Sequence, residues 1–261
     1  MKIVDHRGAR GEAPENTLAG IQHCFDIDVY DFEIDIRLSG DNNFMLMHDA
    51  SLTRTCDSKQ MLHETHSKKL SSISANQDRS ADYFTNKAWQ KEHKNICIPS
   101  LDQVLTLAKD SAKKNQACSF QLEIKSDEHT SESAILKKIT NEFTKSRIKR
   151  LASNIVFTSF DGDIIREISA QAPHLNTGII SHENAIEAIQ LATKLNCTHC
   201  CLNYKLLLDA NNELKKQLRE SEMHISVWTL NDVELIAELE QLGVSSIITD
   251  YPSQFIAKVN R

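Results

Sequence analysis

The sequence predicts an α/β fold, a TIM-type (β/α)8 barrel with an insertion after the second strand. Three observations predict it. Short, β-rich apolar runs alternate with longer segments of helical period, the signature of βαβ units and a parallel sheet. The alternation repeats eight times along the chain. The length of 261 residues matches the roughly 250 that such a barrel needs as one unit. We therefore read residues 1–261 as one domain, with residues 50–98 inserted within it. Count and length favour the barrel over an open doubly wound sheet, which periodicity alone does not separate from it.

In chain order, strands are expected at Lys2–His6, Asp31–Arg37, Ser119–Lys125, Ile155–Phe160, Asn176–Ser181, Thr198–Asn203, His224–Leu230 and Ser246–Asp250. Between the first two, Leu18, Ile21 and Phe25 recur at the spacing of an amphipathic helix, and Ile135, Leu136, Ile139 and Phe143 do so later. Phe44–Met47 is a short apolar run that should return along strand two as a hairpin and end at His48 and Asp49. Ala50 to Ile98 then breaks the rhythm, being long and polar, before a helix begins near Pro99 and Leu101. Loops after strands lie on the catalytic face of such barrels, so this segment is expected to wall or cover a site. The clearest helix is Val233–Leu242, with Asn231 to cap it, Glu234 to complete a capping-box-like pair and Gly243 as a left-handed terminator.

A formal net charge of -6 argues against nucleic acid or an anionic membrane as partner, since both reward clustered Lys and Arg. The first residues, MKIVDHRGARGE, show no apolar leader, and no run of 18 apolar residues occurs, so a cytoplasmic protein without integral membrane association is expected. Seven scattered cysteines suggest free thiols rather than a disulfide framework. Cys197 and Cys200 have a zinc-like spacing beside His199, but no second pair accompanies them, and a buried strand explains them better. The sequence does not disclose an oligomeric state.

The expected strand ends are rich in ionisable groups. Glu33 and Asp35 stand two apart and share one strand face, while Phe32, Ile34 and Ile36 take the other. The same logic pairs Glu123 with Lys125 and turns Leu122 and Ile124 outward. Three carboxylates inside a barrel are costly through desolvation and repulsion unless a cation neutralises them. Oxygen-only ligation suits Mg²⁺ or Ca²⁺ rather than zinc. Pairing with Lys and Arg, or exposure at the strand ends, is the plainer explanation for each acid taken alone. His6 is followed by Arg7 and Gly8, a corner suited to an anion, and His48 ends the hairpin. Two histidines offer one group to take a proton and another to give one, as phosphodiester cleavage needs.

In order along the chain stand His6-Arg7-Gly8, Pro14-Glu15-Asn16-Thr17, Glu33-x-Asp35, His48-Asp49, Leu52-x-Arg54-Thr55, Pro99-Ser100-Leu101, Leu122-Glu123-Ile124-Lys125, Ser159-Phe160, Trp228-Thr229-x-Asn231 and Thr249-Asp250-x-Pro252. This series resembles the glycerophosphodiester phosphodiesterases from residue 6 to 252. The resemblance implies a TIM barrel that hydrolyses a glycerophosphodiester to glycerol 3-phosphate and an alcohol with a divalent ion, Mg²⁺ or Ca²⁺. It implies His6 and His48 as acid and base, and Glu33, Asp35 and Glu123 as metal ligands. Arg7 and Lys125 would bind phosphate, Trp228 the glycerol end, and Glu15 and Asn16 would support the site. The substrate's own hydroxyl attacks phosphorus in related enzymes, and direct attack by water is the other route. After Thr55 the chain departs from the family's usual Thr and Gly-containing turn, reading Cys56-Asp57-Ser58-Lys59, which bears on leaving-group specificity. A lysophospholipid or another phosphodiester is the alternative substrate. A metal- or phosphate-binding barrel without catalysis is the alternative of another class.

Overall fold

Alternation of side chains along each strand sorts the chain into an inside and an outside. In the computed structural model, which describes residues 1–76, 78, 96–111, 117–127, 129–143 and 154–259, nine strands form one sheet. They are β1 (Lys2–His6), β2 (Asp31–Leu38), β3 (Phe44–Leu46), β4 (Ser119–Ile124), β5 (Ile155–Ser159), β6 (Asn176–Ser181), β7 (His199–Asn203), β8 (His224–Trp228) and β9 (Ser246–Thr249). The order is β1-β9-β8-β7-β6-β5-β4-β2-β3, and a further pairing of β1 with β2 closes a parallel barrel of eight strands. The hairpin strand β3 lies outside the ring, antiparallel to β2 with Ile36 opposite Leu46. The expected barrel and hairpin are thus both present, with ends shifted by a residue or two.

The apolar core lies between barrel and helices. Phe32, Ile34, Ile36, Leu122 and Ile124 turn outward and pack with Ile21 and Phe25 of helix Leu18–Asp26 and with Val104 and Ile139 of helices Leu101–Ser111 and Glu132–Phe143. A second cluster covers the other half, built on Cys200, Leu202, Ile225, Val227 and Ile247. Each fully buried side chain of this size contributes about 1.5–3 kcal/mol. The barrel axis is polar instead. Gln121 donates to Ser226 at 3.2 Å, Ser226 meets Ser246 at 2.8 Å, and Ser246 meets His224 Nε2 at 2.9 Å.

Residues 50–98 are less open than their polarity suggests. Helices Thr53–Cys56 and Ser67–Leu70 and the 3-10 turn Leu62–Glu64 gather a small core of Met47, Leu52, Cys56, Leu62, Leu70, Ala75, Ile96 and Ile98. Residues 77 and 79–95 of this segment lie outside the described residues. The described cysteines are all free, as expected, and Cys200 and Cys201 sit on β7.

One expectation is corrected. Val233–Leu242 is a 3-10 turn, Val233–Leu235, followed by helix Ile236–Gln241. Asp232, not Asn231, caps it by accepting from Glu234 N, and the Glu234 carboxylate reaches Lys258 rather than closing a capping box. Asn231 is drawn away because its side chain is already engaged, donating to Asp250 Oδ2 at 2.8 Å and accepting from Asp250 N and Thr249 Oγ1. Gly243, at φ +89, does terminate the helix region in the left-handed conformation.

The loop after β1 is set by two glycines. Arg7, Gly8 and Ala9 all have positive φ, and Gly8 N donates to Asp5 Oδ1 at 2.6 Å. A Cβ on Gly20 would stand 2.4 Å from the carbonyl oxygen of Gly8, so helix and loop meet backbone to backbone. Ala at a helix position normally gains about 1 kcal/mol over Gly. Gly20→Ala should reverse that sign, lowering the melting temperature and displacing the Arg7 loop; an unchanged or higher melting temperature would show that the contact is not tight.

Candidate active site

At the end of β1, His6 is buried and its Nδ1 lies 2.6 Å from Asp250 Oδ1, directly after β9. With Nδ1–H donated to that carboxylate, Nε2 faces inward, 3.9 Å from Glu33 Oε2. Burial, then the charge of Arg7, lowers the imidazole pKa, while Asp250 acts the other way. The next residue, Arg7, is held by its strained loop so that its backbone N donates to Glu33 O at 2.8 Å.

The barrel closure brings the acids together. His6 registers with Glu33, and Asp35 with Glu123, on neighbouring strands. Glu33, Asp35 and Glu123 offer oxygens that all lie within 4.8 Å of one another, and all three residues are buried. Arg7 Nε stands 3.0 Å from Asp35 Oδ2 and Lys125 Nζ 3.1 Å from Asp35 Oδ1, and Lys125 also contacts Glu123 closely. Burial alone would push the Asp35 carboxyl up, but Arg7 and Lys125 overcome it and hold the group well below the usual range. Glu33 and Glu123 receive less help. Burial, then Asp35, pushes Glu33 well up and Glu123 to about 7.

Three acids against two cations leave negative charge without a local partner. Among the described residues, Glu33 Oε1 is buried and has no hydrogen-bond partner. Hard, oxygen-only donors with an orphaned oxygen fit a divalent cation of the Mg²⁺ or Ca²⁺ kind. This cluster is also the one His, Cys, Asp and Glu group of metal-holding spacing among the described residues. The Cys197 to Cys201 segment does not form another.

His48 follows the hairpin, with Nδ1 2.6 Å from Asp49 Oδ1. Arg54 Nε donates to Asp49 Oδ2 at 2.7 Å, and its Nη1 and Nη2 donate to the two oxygens of Glu15. Glu15 also accepts from Arg10 Nε at 2.8 Å and Arg7 Nη1 at 3.3 Å. Burial would raise its carboxyl, but Arg54 and Arg7 prevail and lower it. Asn16 donates to Asp35 Oδ2 at 2.8 Å and accepts from Asp35 N at 3.1 Å, clamping that acid.

A cavity of about 270 Å³ is lined by His6, Arg7, Glu33, His48, Glu123 and Lys125. Phe160, His182 and Trp228 line it as well, with Phe160 5.4 Å from Trp228 and 5.5 Å from His182 between ring centres and Lys125 Nζ over the Phe160 ring at 5.8 Å. The Trp228 indole N–H donates to Cys201 O at 3.2 Å, which fixes the ring edge-on to Phe160. A larger open cleft of about 660 Å³ near Phe44, Ser67, Leu101 and Glu142 holds none of these groups.

Eight of the ten residues singled out in the sequence therefore converge, seven of them on the cavity wall and Asp35 directly behind it; Glu15 and Asn16 reach the site through Arg7, Arg54 and Asp35. No described residue of 50–98 lines the cavity. Sequence reasoning did not assign Asp250, Asp49, Phe160 or His182 a role. Asp49 adjoins His48 and Asp250 ends a strand, so position alone was a signal for both. His182, the first residue after β6, carried none.

Residues 6–254 match the model of the glycerophosphoryl diester phosphodiesterase family. YhdW of Bacillus subtilis (strain 168) is 26% identical over 266 residues, covering 99% of this chain and 97% of its own length. A glycerophosphodiester phosphodiesterase of Caldanaerobacter subterraneus is 22% identical over 261 residues, covering 99% and 98%. In architecture the chain is similar to an Oleispira antarctica phosphodiesterase solved in complex with the product sn-glycerol-3-phosphate, at a TM-score of 0.79 and 21% identity, with 100% of this chain and 97% of that one covered.

The raised acids carry a stability signature. Unfolded, Glu123 titrates near 4.5; folded and metal-free, near 7. Between these values the folded state binds more protons, so metal-free stability should fall as pH rises from about 4.5 through 7. Glu33 adds to this, and so does Asp5, which burial pushes up to about 7. Denaturant unfolding of chelated protein across that range checks it. Glu123→Gln should lessen the fall, and a fall of the same size in that variant would contradict the assignment.

Proposed function

The chain belongs to the glycerophosphoryl diester phosphodiesterase family, and from that premise we propose that it hydrolyses glycerophosphodiesters to glycerol 3-phosphate and an alcohol, with His6 and His48 as the proton-transfer pair. The observation that carries this reading is that each histidine is backed by its own carboxylate on a cavity beside a three-acid cluster. A carboxylate on Nδ1 fixes the tautomer and leaves Nε2 to exchange a proton with the reacting oxygens. One imidazole takes the proton of the attacking hydroxyl or water, and the other gives one to the departing alkoxide.

Glu33, Asp35 and Glu123 would hold the divalent cation, Mg²⁺ or Ca²⁺. When bound, it supplies Lewis-acid polarisation of a phosphoryl oxygen. Arg7 and Lys125 stay cationic beside Asp35 and present the charge that a phosphodiester needs, Arg7 as a planar fork and Lys125 as a point charge. Glu15 and Asn16 keep Arg7 and Asp35 in place. Trp228 with Phe160 forms an apolar wall against which the glycerol carbons rest. Deacylated phospholipids such as glycerophosphocholine or glycerophosphoglycerol are the substrates of first choice. The reading treats residues 1–261 as one catalytic domain and places the protein in the cytoplasm; no helix among the described residues is long and apolar enough to cross a membrane.

An assay of the purified protein on a panel of glycerophosphodiesters, with chelator and metal add-back, tests this. Excess chelator should abolish turnover and added Mg²⁺ or Ca²⁺ restore it, while His6→Ala and His48→Ala each lower kcat by roughly 10²–10⁴-fold. Full activity in chelator removes the metal, and unchanged turnover in either histidine variant removes that histidine. Cleavage of no diester under any metal would favour a binding barrel.

A further inference from the structure

Arg54 and Asp78 take no part in the chemistry above, yet both are tied to it. Arg54 lies on the one-turn helix Thr53–Cys56, whose Thr55 and Cys56 are buried, Cys56 in the small core of the insertion. Its guanidinium meets three carboxylates: Asp49 through Nε at 2.7 Å, Glu15 through Nη1 and Nη2 at 2.8 and 2.7 Å, and Asp78 through Nη1 at 2.8 Å. Asp49 passes the contact on, its second oxygen lying 2.6 Å from His48 Nδ1.

Exposure decides what anchors what. The His48 and Asp49 side chains are 33% and 30% exposed, and an ion pair as open as that holds its geometry weakly by itself. The Glu15 and Asp78 side chains are each 3% exposed. They grip two edges of a rigid, planar fork and so aim the remaining Nε at Asp49. A lysine, with one point charge on a flexible stem, could not serve all three acids in fixed directions. His6 needs no such device, because Asp250 is itself held by Asn231 and the pair is far less exposed, at 10% and 13%.

We propose that Arg54 is a positioning residue for His48, acting through Asp49, and that Asp78 makes the insertion part of this setting. The described part of the insertion thus serves catalysis without lining the cavity: its packing places Arg54, Arg54 orders Asp49, and Asp49 orders the imidazole. The proposal rests on the reading of His48 as a proton-transfer group.

Steady-state kinetics of Arg54→Lys, Asp49→Asn, Asp78→Asn and the pairwise doubles, on the best glycerophosphodiester of the panel with metal present, test it beside His48→Ala and melting temperatures. Arg54→Lys and Asp49→Asn should each lower kcat roughly 10- to 100-fold, as loss of an orienting partner does, with KM changed by less than about threefold. The Arg54→Lys/Asp49→Asn double should be no slower than the worse single, because one chain of contacts is already broken. Asp78→Asn should lower kcat by a smaller factor and add nothing in the Arg54→Lys background. Losses that multiply in the doubles, a loss confined to KM or melting temperature, or wild-type kcat in Arg54→Lys would each overturn the proposal. Unchanged turnover in His48→Ala would remove the reading beneath it, and the proposal with that.

Discussion

Three carboxylates drawn into one buried cluster are the constraint around which this molecule is arranged. Glu33, Asp35 and Glu123 are exposed by less than a tenth of their surface and share a space under 5 Å across. Such a cluster opposes folding through desolvation and repulsion unless cations balance it. Arg7 and Lys125 do so for Asp35 and leave Glu33 and Glu123 short, one of them with an oxygen that nothing among the described residues satisfies. A divalent cation would close that deficit, and the same positive charge would draw a phosphodiester to a protein of net charge -6.

The barrel is what makes the cluster geometrically available. Closure of β1 on β2 brings His6 level with Glu33, and the register of β2 with β4 brings Asp35 level with Glu123. The loop after β1 then turns Arg7 back over Asp35, with Gly8 pressed on Gly20 where no side chain fits. Glu15 joins the two halves of the site, since it meets Arg7 on the His6 side and Arg54 on the His48 side. The halves differ in exposure: the His6 and Asp250 side chains are 10% and 13% exposed, those of His48 and Asp49 33% and 30%.

Much of this was legible in the residues. Alternation exposed the strands, and the two-residue spacing of Glu33 and Asp35 already put both on one face opposite Phe32 and Ile34. Partnerships across the fold were not legible. That Asp250 backs His6 depends on β9 lying beside β1, a closure that periodicity does not encode. That Asn231 serves Asp250 instead of capping the next helix depends on the same neighbour, and Asp232 takes the vacated role. Residues 50–98 read as polar, yet two of their charged side chains, Arg54 and Asp78, pair with each other, and Arg54 pairs also with Glu15 and Asp49. His182 at the cavity rim belongs to a loop whose path no local pattern sets.

Calorimetric titration of metal-stripped protein with Mg²⁺ and with Ca²⁺, repeated in two buffers of different ionisation heat, measures the central interaction directly. One ion should bind per chain and release protons at neutral pH, because Glu33 and Glu123 must ionise to hold it, and Asp35→Asn should abolish the binding. Absence of binding by both ions, binding to the unaltered protein without proton release, or binding of undiminished strength in Asp35→Asn would contradict the account.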